Sequence, residues 1–367
     1  MKVTVEKDEL QRKLSAIQNI VEKKNTMPIL SHFLLAAEKG GGAITATDLE
    51  TAFKEPIALT VAEEGTLCIP AKKLFEIVRE MEGDITLESV DNKWLKIKSG
   101  KSLFRLACLS PEEFPVWPSL SGEAEEMVMD SPVLLDMIDK TLYAAGESDT
   151  RYVLNGLLFH IKPDGTLTVV GTDGHRLALS RKTVGARAAE EKKIIFSRKS
   201  LSELRRFLTP ESKEVKLTLG KNHILFILDD IQFLTRLIEG TYPNYEQVIP
   251  AAGEKVMSVD KNTLMRALRR VSIMSKERSS AVKVDLDAAT MGISASNPDL
   301  GEAKDEITVE YAGSPLTLAF NARYILDALG VMDAERIVFT MNEPLSPTLI
   351  MEEGSEEYKY VVMPMRL

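Results

Sequence analysis

The sequence runs to 367 residues, with 46 Lys+Arg against 55 Asp+Glu and 44% hydrophobic residues; that length predicts two or three domains, and the composition is that of an ordinary soluble globular protein, which excludes disorder. No apolar run approaches the ~18 residues that cross a bilayer, and the opening MKVTVEKDELQRKL lacks the apolar core of a signal peptide, so a cytoplasmic location is expected. A formal net charge of -9 excludes a chain that coats its whole surface with nucleic acid, but it leaves room for a basic stripe on one face.

From the N-terminus, VTVEKDELQRKLSAI reads as a short strand and a helix, and PAKKLFEIVREM as a second helix. The same order returns in MVMDSPVLLDMIDKTL and SRKSLSELRRFL, then in MSVDKNTLMRALRRVS and NARYILDALGVM. Leu10, Leu134 and Leu264 align, as do Leu14, Ile138 and Leu268; each pair is spaced i, i+4 and shares a helical face. Ser131-Pro132 reads as an N-cap and first helical residue, and Asp260 as a cap. In the second helices Leu74, Leu201 and Ile325 align, giving a period of roughly 125 residues, far longer than a solenoid repeat of about 20–50.

Elsewhere the period changes to two. ITATDLETAF, LTVVGTDGHRLALS and MGISASNPD read as strands with polar turns. Three closing strand series follow the second helices: ITLES with WLKIKSGKSLFRLACL, then VKLTLGKNHILFILDDIQFLTRLI, then IVFTMNEPLSPTLIMEE with YKYVVMPMRL. Each copy is therefore expected to be an α+β unit, two helices packed on antiparallel sheet. Pro115, Pro118, Ser119, Ser121, Gly122 and the acidic run Glu123–Glu126 mark one linker, and Pro250-Ala251-Ala252-Gly253 the next. The expected domains are 1–121, 127–250 and 254–367.

Positive charge concentrates on the helices. Arg198, Lys199, Arg205 and Arg206 face one acid, Glu203; Lys261, Arg266, Arg269, Arg270, Lys276 and Arg278 face only Glu277. Lys72, Lys73 and Arg79 continue the pattern in the first copy, and Lys23 and Lys24 end its first helix. The acids collect in loops and strands, at Glu352-Glu353, Glu356-Glu357 and Asp229-Asp230. A single basic helix face is usually just solvated; recurrence on equivalent helices points to a polyanion met through its phosphates, without sequence readout. No helix-turn-helix, zinc-finger or RNP signature is present to read bases.

Catalytic signatures are missing. Gly100-Lys101-Ser102 resembles the end of a P-loop, but Leu95 stands where the motif needs glycine. Cys68 and Cys108 lie far apart, which argues against a disulfide framework or a cysteine zinc site. His32, His160, His175 and His223 have no ligand-spaced partner, so neither a metal nor another cofactor is expected. Asp173 and His175 in GTDGHR suit acid/base work less well than a tight turn that orients His175 and Arg176. A binding scaffold is expected, not an enzyme.

RYVLNGLLF (Arg151–Phe159), TDGHRLAL (Thr172–Leu179), YPNYEQVIP (Tyr242–Pro250), FNARYILDAL (Phe320–Leu329) and VVMPMRL (Val361–Leu367) resemble the bacterial sliding clamp family, the β subunit of DNA polymerase III. The resemblance covers the whole chain and its three copies. It implies the DNA clamp fold and a head-to-tail homodimer, a six-domain ring around duplex DNA with helices lining the hole. Domains of about 122 residues, each roughly 35 Å wide, would leave a hole radius of roughly 17 Å. Such a ring is a non-catalytic subunit of a polymerase holoenzyme, cytoplasmic and nucleoid-associated. Its partners would be double-stranded DNA irrespective of sequence, a second copy of itself, the replicative polymerase, the clamp loader, and repair and translesion polymerases carrying short peptides. The alternative is a peptide-binding scaffold that never encloses DNA.

The resemblance also implies sites. The partner-peptide cleft would involve Leu154, Thr172, Gly174, His175, Arg176, Leu177, Pro243, Val248, Asn321, Tyr324, Met363, Pro364, Met365, Arg366 and Leu367. Methionines suit a pocket that accepts several peptides. DNA contacts would come from Lys24, Ser148, Arg151 and Tyr152 by resemblance, and from Lys199, Arg205, Arg266 and Arg269 by the charge pattern. At the dimer contact, Phe104 and Leu106 on an edge strand would meet Ile273 and Met274; the competing expectation is that these four belong to domain cores. Val153, Gln247 and Pro347 depart from the pattern of some relatives, which touches DNA contact and rim polarity rather than fold.

Overall fold

The computed structural model describes residues 1–21, 27–118, 120, 124–185, 189–209, 213–250, 253, 255–275 and 280–366. Lys23, Lys24, Lys276, Arg278 and Leu367, with linker residues Ser119, Ser121, Gly122, Glu123, Ala251 and Ala252, lie outside them. The described residues contain six α-helices: α1 (Lys7–Ile17), α2 (Ala71–Arg79), α3 (Ser131–Thr141), α4 (Arg198–Leu204), α5 (Lys261–Ser272) and α6 (Ala322–Val331). None is long and apolar enough to cross a membrane.

The threefold repeat holds in the element order. Each copy opens with a strand and a helix, then four strands, then a second helix, then three closing strands, with one extra short strand in the first and third copies. The i, i+4 leucines do what their spacing predicts. Leu10 and Leu14 are buried on α1, and Leu264 and Leu268 on α5; each fully buried leucine contributes about 1.5–3 kcal/mol. Arg266, Arg269 and Arg270 stand exposed on the opposite face of α5. Asp260 caps α5, accepting a hydrogen bond from Thr263 N at 2.7 Å.

Two local expectations are corrected. Ser131 is not a cap: it is the first residue of α3, and its buried Oγ makes no hydrogen bond. The residue before it, Asp130, holds the place that Asp260 holds before α5. The basic helix expected through Phe207 stops at Leu204, so Arg205 and Arg206 lie beyond its end, and Arg206 pairs with Glu203 at 2.9 Å.

The chain divides into two compact units, Met1–Pro132 with Glu203–Leu237, and Val133–Ser202 with Ile238–Leu367. The middle repeat is shared between them, because sheets run through the repeat boundaries. In the first unit the closing strand Ile231–Arg236 of the second repeat pairs antiparallel with Thr51–Ile57 of the first, setting Phe233 opposite Phe53. This builds an eight-stranded sheet beside a five-stranded one. Phe207 stacks on Phe53 at 4.8 Å and lies 6.1 Å from Phe233; each such pair adds about 0.5–1.5 kcal/mol beyond its burial.

In the second unit the closing strand Tyr358–Val362 of the third repeat pairs antiparallel with Arg176–Thr183 of the second, setting Val361 opposite Leu177. The result is a nine-stranded sheet beside a four-stranded one. Both joints follow one rule: the last strand of a repeat pairs with the third strand after the first helix of the preceding repeat. Two strands of those types are left as sheet edges, Ser102–Ala107 in the first repeat and Gly301–Thr308 in the third.

Candidate functional site

The second joint carries a pocket at one end, built from a turn outward. Thr172 Oγ1 donates to Arg176 O at 2.6 Å and accepts from Gly174 N at 3.1 Å. Asp173 Oδ1 accepts from the backbone N–H groups of His175 and Arg176, at 2.9 and 3.0 Å. The turn Thr47–Thr51 in the first repeat makes the same bonds through Thr47 and Asp48. Gly174 sits at φ 85°, and a methyl there would come within 2.8 Å of Arg151 Nη2. Asp173 thus serves as a turn acceptor and ion-pair partner, in keeping with the expected tight turn.

Arg176 leaves this turn and becomes part of the interior. Its Nε lies 3.1 Å from Asp173 Oδ2, Nη1 lies 2.7 Å from Asp327 Oδ2, and Nη2 donates to Tyr143 O at 2.7 Å. The guanidinium lies over the rings of Tyr324, at 4.4 Å, and Tyr143, at 5.3 Å. Burial disfavours its charge, but Tyr360, Asp327 and Asp173 together hold its pKa above the ordinary arginine value. Arg151 pairs with Asp149 at 2.7 Å and donates to Asp173 O at 3.2 Å. Hydrogen bonds from its guanidinium and its backbone N–H hold the Asp149 carboxyl down to about 2.

Arg151, Arg176 and the turn residues Thr172, Gly174 and His175 rim a cavity of about 140 Å³. Of the expected cleft residues, Leu154, Thr172, Gly174, His175, Arg176, Leu177, Pro243, Val248 and Met363 line it. Arg151, Tyr242, Tyr245 and Val361 line it too and were not among those expected. Tyr242, Tyr245 and Val361 are almost wholly buried, and their local pattern matches any core residue. A sequence signal existed for Tyr242 and Tyr245, which flank the lining residue Pro243 in YPNYEQVIP.

The remaining expected cleft residues support the pocket or lie beside it. Asn321 caps α6, accepting from Arg323 N, and Tyr324 lies under the Arg176 guanidinium. The tail is fixed at alternate residues: Met363 N donates to His175 O and Met365 N to Ala319 O, at 2.9 and 2.7 Å. Pro364 between them has no N–H to offer. Arg366 is exposed, and Leu367 lies outside the described residues.

Among the expected DNA contacts, Ser148, Arg151 and Tyr152 fall on the short stretch before the strand Gly156–Ile161, and Arg151 belongs to the cavity rim. Lys199 is on α4, Arg205 follows it, and Arg266 and Arg269 are exposed on α5. Lys24 lies outside the described residues. Phe104 is 42% exposed on the edge strand Ser102–Ala107, where Leu106 is half-buried. Ile273 is 75% exposed just past α5, and Met274 follows it, its Cε 3.6 Å from a Cβ built on Gly301. A fully buried core position is not what Phe104 or Ile273 occupies. Among the described residues no group of three or more His, Cys, Asp or Glu side chains is placed to hold a metal ion.

Comparison with known proteins follows the same three segments. Family models of the DNA polymerase III beta subunit match the N-terminal domain over residues 1–118, the central domain over 128–244 and the C-terminal domain over 246–366. The chain is 35% identical to the beta sliding clamp of Pseudomonas aeruginosa over 369 residues, covering 100% of both sequences. Its structure matches that of the Pseudomonas aeruginosa DNA polymerase III subunit beta bound to griselimycin with a TM-score of 0.94, at 34% identity and 100% coverage of both chains. The Bartonella birtlesii counterpart, also bound to griselimycin, matches with a TM-score of 0.95 at 34% identity and the same coverage.

Proposed function

The chain belongs to the DNA polymerase III beta subunit family, the sliding clamps, and from that premise we propose that two copies close head to tail into a ring around duplex DNA. It is a DNA sliding clamp of three-domain fold, a non-catalytic processivity subunit that binds DNA and the replicative polymerase. We take its domains as 1–121, 127–250 and 254–367, and its location as cytoplasmic and nucleoid-associated.

One observation carries the ring. Both internal joints pair the last strand of a repeat with a third strand of its neighbour, and one strand of each kind is left over in the chain. Pairing Ser102–Ala107 of one copy with Gly301–Thr308 of another repeats the joint for a third time and, by two-fold symmetry, for a fourth. Phe104 and Leu106 would then meet Ile273 and Met274. Arg266 and Arg269, exposed on α5, support phosphate contacts that leave the DNA free to slide. The cavity beside Arg176 is read as the groove for partner peptides with a few apolar anchors, supported by its lining of Leu154, Leu177, Val248, Val361 and Met363.

Topology tests the ring. The protein is loaded on a nicked circular plasmid by its clamp loader, and the plasmid is then linearised. Retention on the circle with loss from the linear form is expected. Equal retention on both would overturn encirclement and favour the peptide scaffold that never encloses DNA.

A further inference from the structure

A histidine that never reaches the groove holds one of its walls. The strand Gly156–Ile161, GLLFHI, is buried along its entire length, and His160 is the one ionisable side chain in it, 2% exposed. A buried imidazole needs partners for both nitrogens. Nε2 lies 2.6 Å from Glu191 Oε1, and since a carboxylate only accepts, Nε2 carries the proton. In the neutral ring Nδ1 is then an acceptor for the Tyr245 hydroxyl, 2.8 Å away, which also meets Arg181 and Thr168.

The sheet register explains how a tyrosine reaches it. His160, Thr168 and Arg181 stand side by side on three neighbouring strands, forming a polar row. Next to it on the same face runs an apolar row, Leu158, Val170 and Leu179. The Tyr245 ring belongs to the same core cluster as that apolar row, with its hydroxyl on His160. Tyr242 makes a second peg, its hydroxyl donating to Val170 O at 3.3 Å. Between and beyond these pegs sit Pro243 and Val248, which line the cavity, and Val248 N donates back to Tyr245 O at 3.1 Å.

We propose that His160 is a positioning residue for the peptide groove: through Tyr245 it pins the Tyr242–Val248 segment as a preformed wall. This rests on reading the cavity as the groove. Without the pin, ordering the wall becomes part of every binding event and weakens it. Loss of one buried neutral hydrogen bond predicts a threefold to tenfold weaker affinity, an effect of about that size.

The test titrates full-length protein with griselimycin, the molecule bound in the relatives, by calorimetry. His160→Phe, Tyr245→Phe and the double variant are each expected to bind threefold to tenfold more weakly, the double no worse than the weaker-binding single, because both cut the same His160–Tyr245 bond; His160→Phe also releases Glu191, and Tyr245→Phe also takes the hydroxyl from Arg181 and Thr168. His160→Asn, which keeps an acceptor near the Nδ1 position, is expected to bind within twofold of the unaltered chain. Amide hydrogen exchange over 239–250 should accelerate in the two Phe variants and not in His160→Asn. Unchanged affinity in the Phe variants, an additive double variant, or no rescue by His160→Asn would overturn the proposal. Met363→Asp is the separate check on the groove itself: griselimycin binding that survives it would sink that reading, whatever His160 does.

Discussion

Arg176 does three jobs with one guanidinium. It closes the turn through Asp173, it ties that turn to α6 through Asp327, and it satisfies a backbone carbonyl at Tyr143. Its side chain is only 11% exposed, so salt and water screen these contacts little. Removing one partner from such a cluster leaves the others desolvated without compensation. Arg176→Ala is therefore expected to lower stability by about 3 kcal/mol, read as a shift in the urea midpoint of the transition that includes the second unit. A shift of less than about 1 kcal/mol would mean that water replaces the guanidinium and that the cluster is a surface feature. The small residue beside it matters for a different reason. Gly174 supplies a positive φ and also the space that Arg151 fills, whereas Leu49 takes φ 76° at the matching turn of the first repeat, with its side chain half exposed. The two turns thus tolerate the same positive φ with different residues, and a side chain at Gly174 would in addition have to displace the end of the Arg151 side chain.

At the scale of elements, one cap distinguishes equivalent helices. Asp260 accepts from Thr263 N at the start of α5, while α1, its counterpart in the first repeat, begins after Glu6 with no side-chain cap. Asp260→Ala is expected to cost about 1 kcal/mol, read as a drop in the melting midpoint. No change would mean that sheet pairing of Lys255–Asp260 holds the helix start unaided. The helices were legible because their signal is local: Leu264 and Leu268 share a face whatever lies opposite. The strands were legible as strands for the same reason. Their partners were not, since nothing in the alternation of Thr51–Ile57 says that Ile231–Arg236 lies beside it rather than another closing strand. That choice depends on register and packing at long range, as where Phe233 faces Phe53. The cavity was half legible by the same logic. The turn residues Thr172–Arg176 announce themselves through Asp-Gly chemistry, but Tyr245 comes to line the cavity through long-range packing, its hydroxyl 2.8 Å from His160 on the sheet. Ser131 was misread because serine before a helix usually caps it; here the helix begins one residue earlier.

For the whole molecule, the proposed ring makes the leftover strands the place where copies meet. Ser102–Ala107 has five of its six residues exposed, including Leu103 at 68% and Phe104 at 42%, and Leu300 is 67% exposed at the start of the other free edge. An exposed apolar edge is a hazard in a monomer and an asset in a closed assembly. Two arrangements satisfy two-fold symmetry: like edges pair with like, or each free edge meets the other kind. Complementation separates them. Phe104→Asp alone and Ile273→Asp alone should each elute with the 40.7 kDa mass of one chain in size-exclusion light scattering, because in a head-to-tail dimer each substitution spoils both joints. Mixed in equal amounts, they can form a heterodimer in which both charges fall at one joint and the other is unaltered. Two-chain mass should return in the mixture, while retention on circular DNA should not, since that ring is open on one side. Like-with-like pairing predicts instead that each variant alone keeps one unaltered joint and still elutes with two-chain mass, leaving no monomer to rescue.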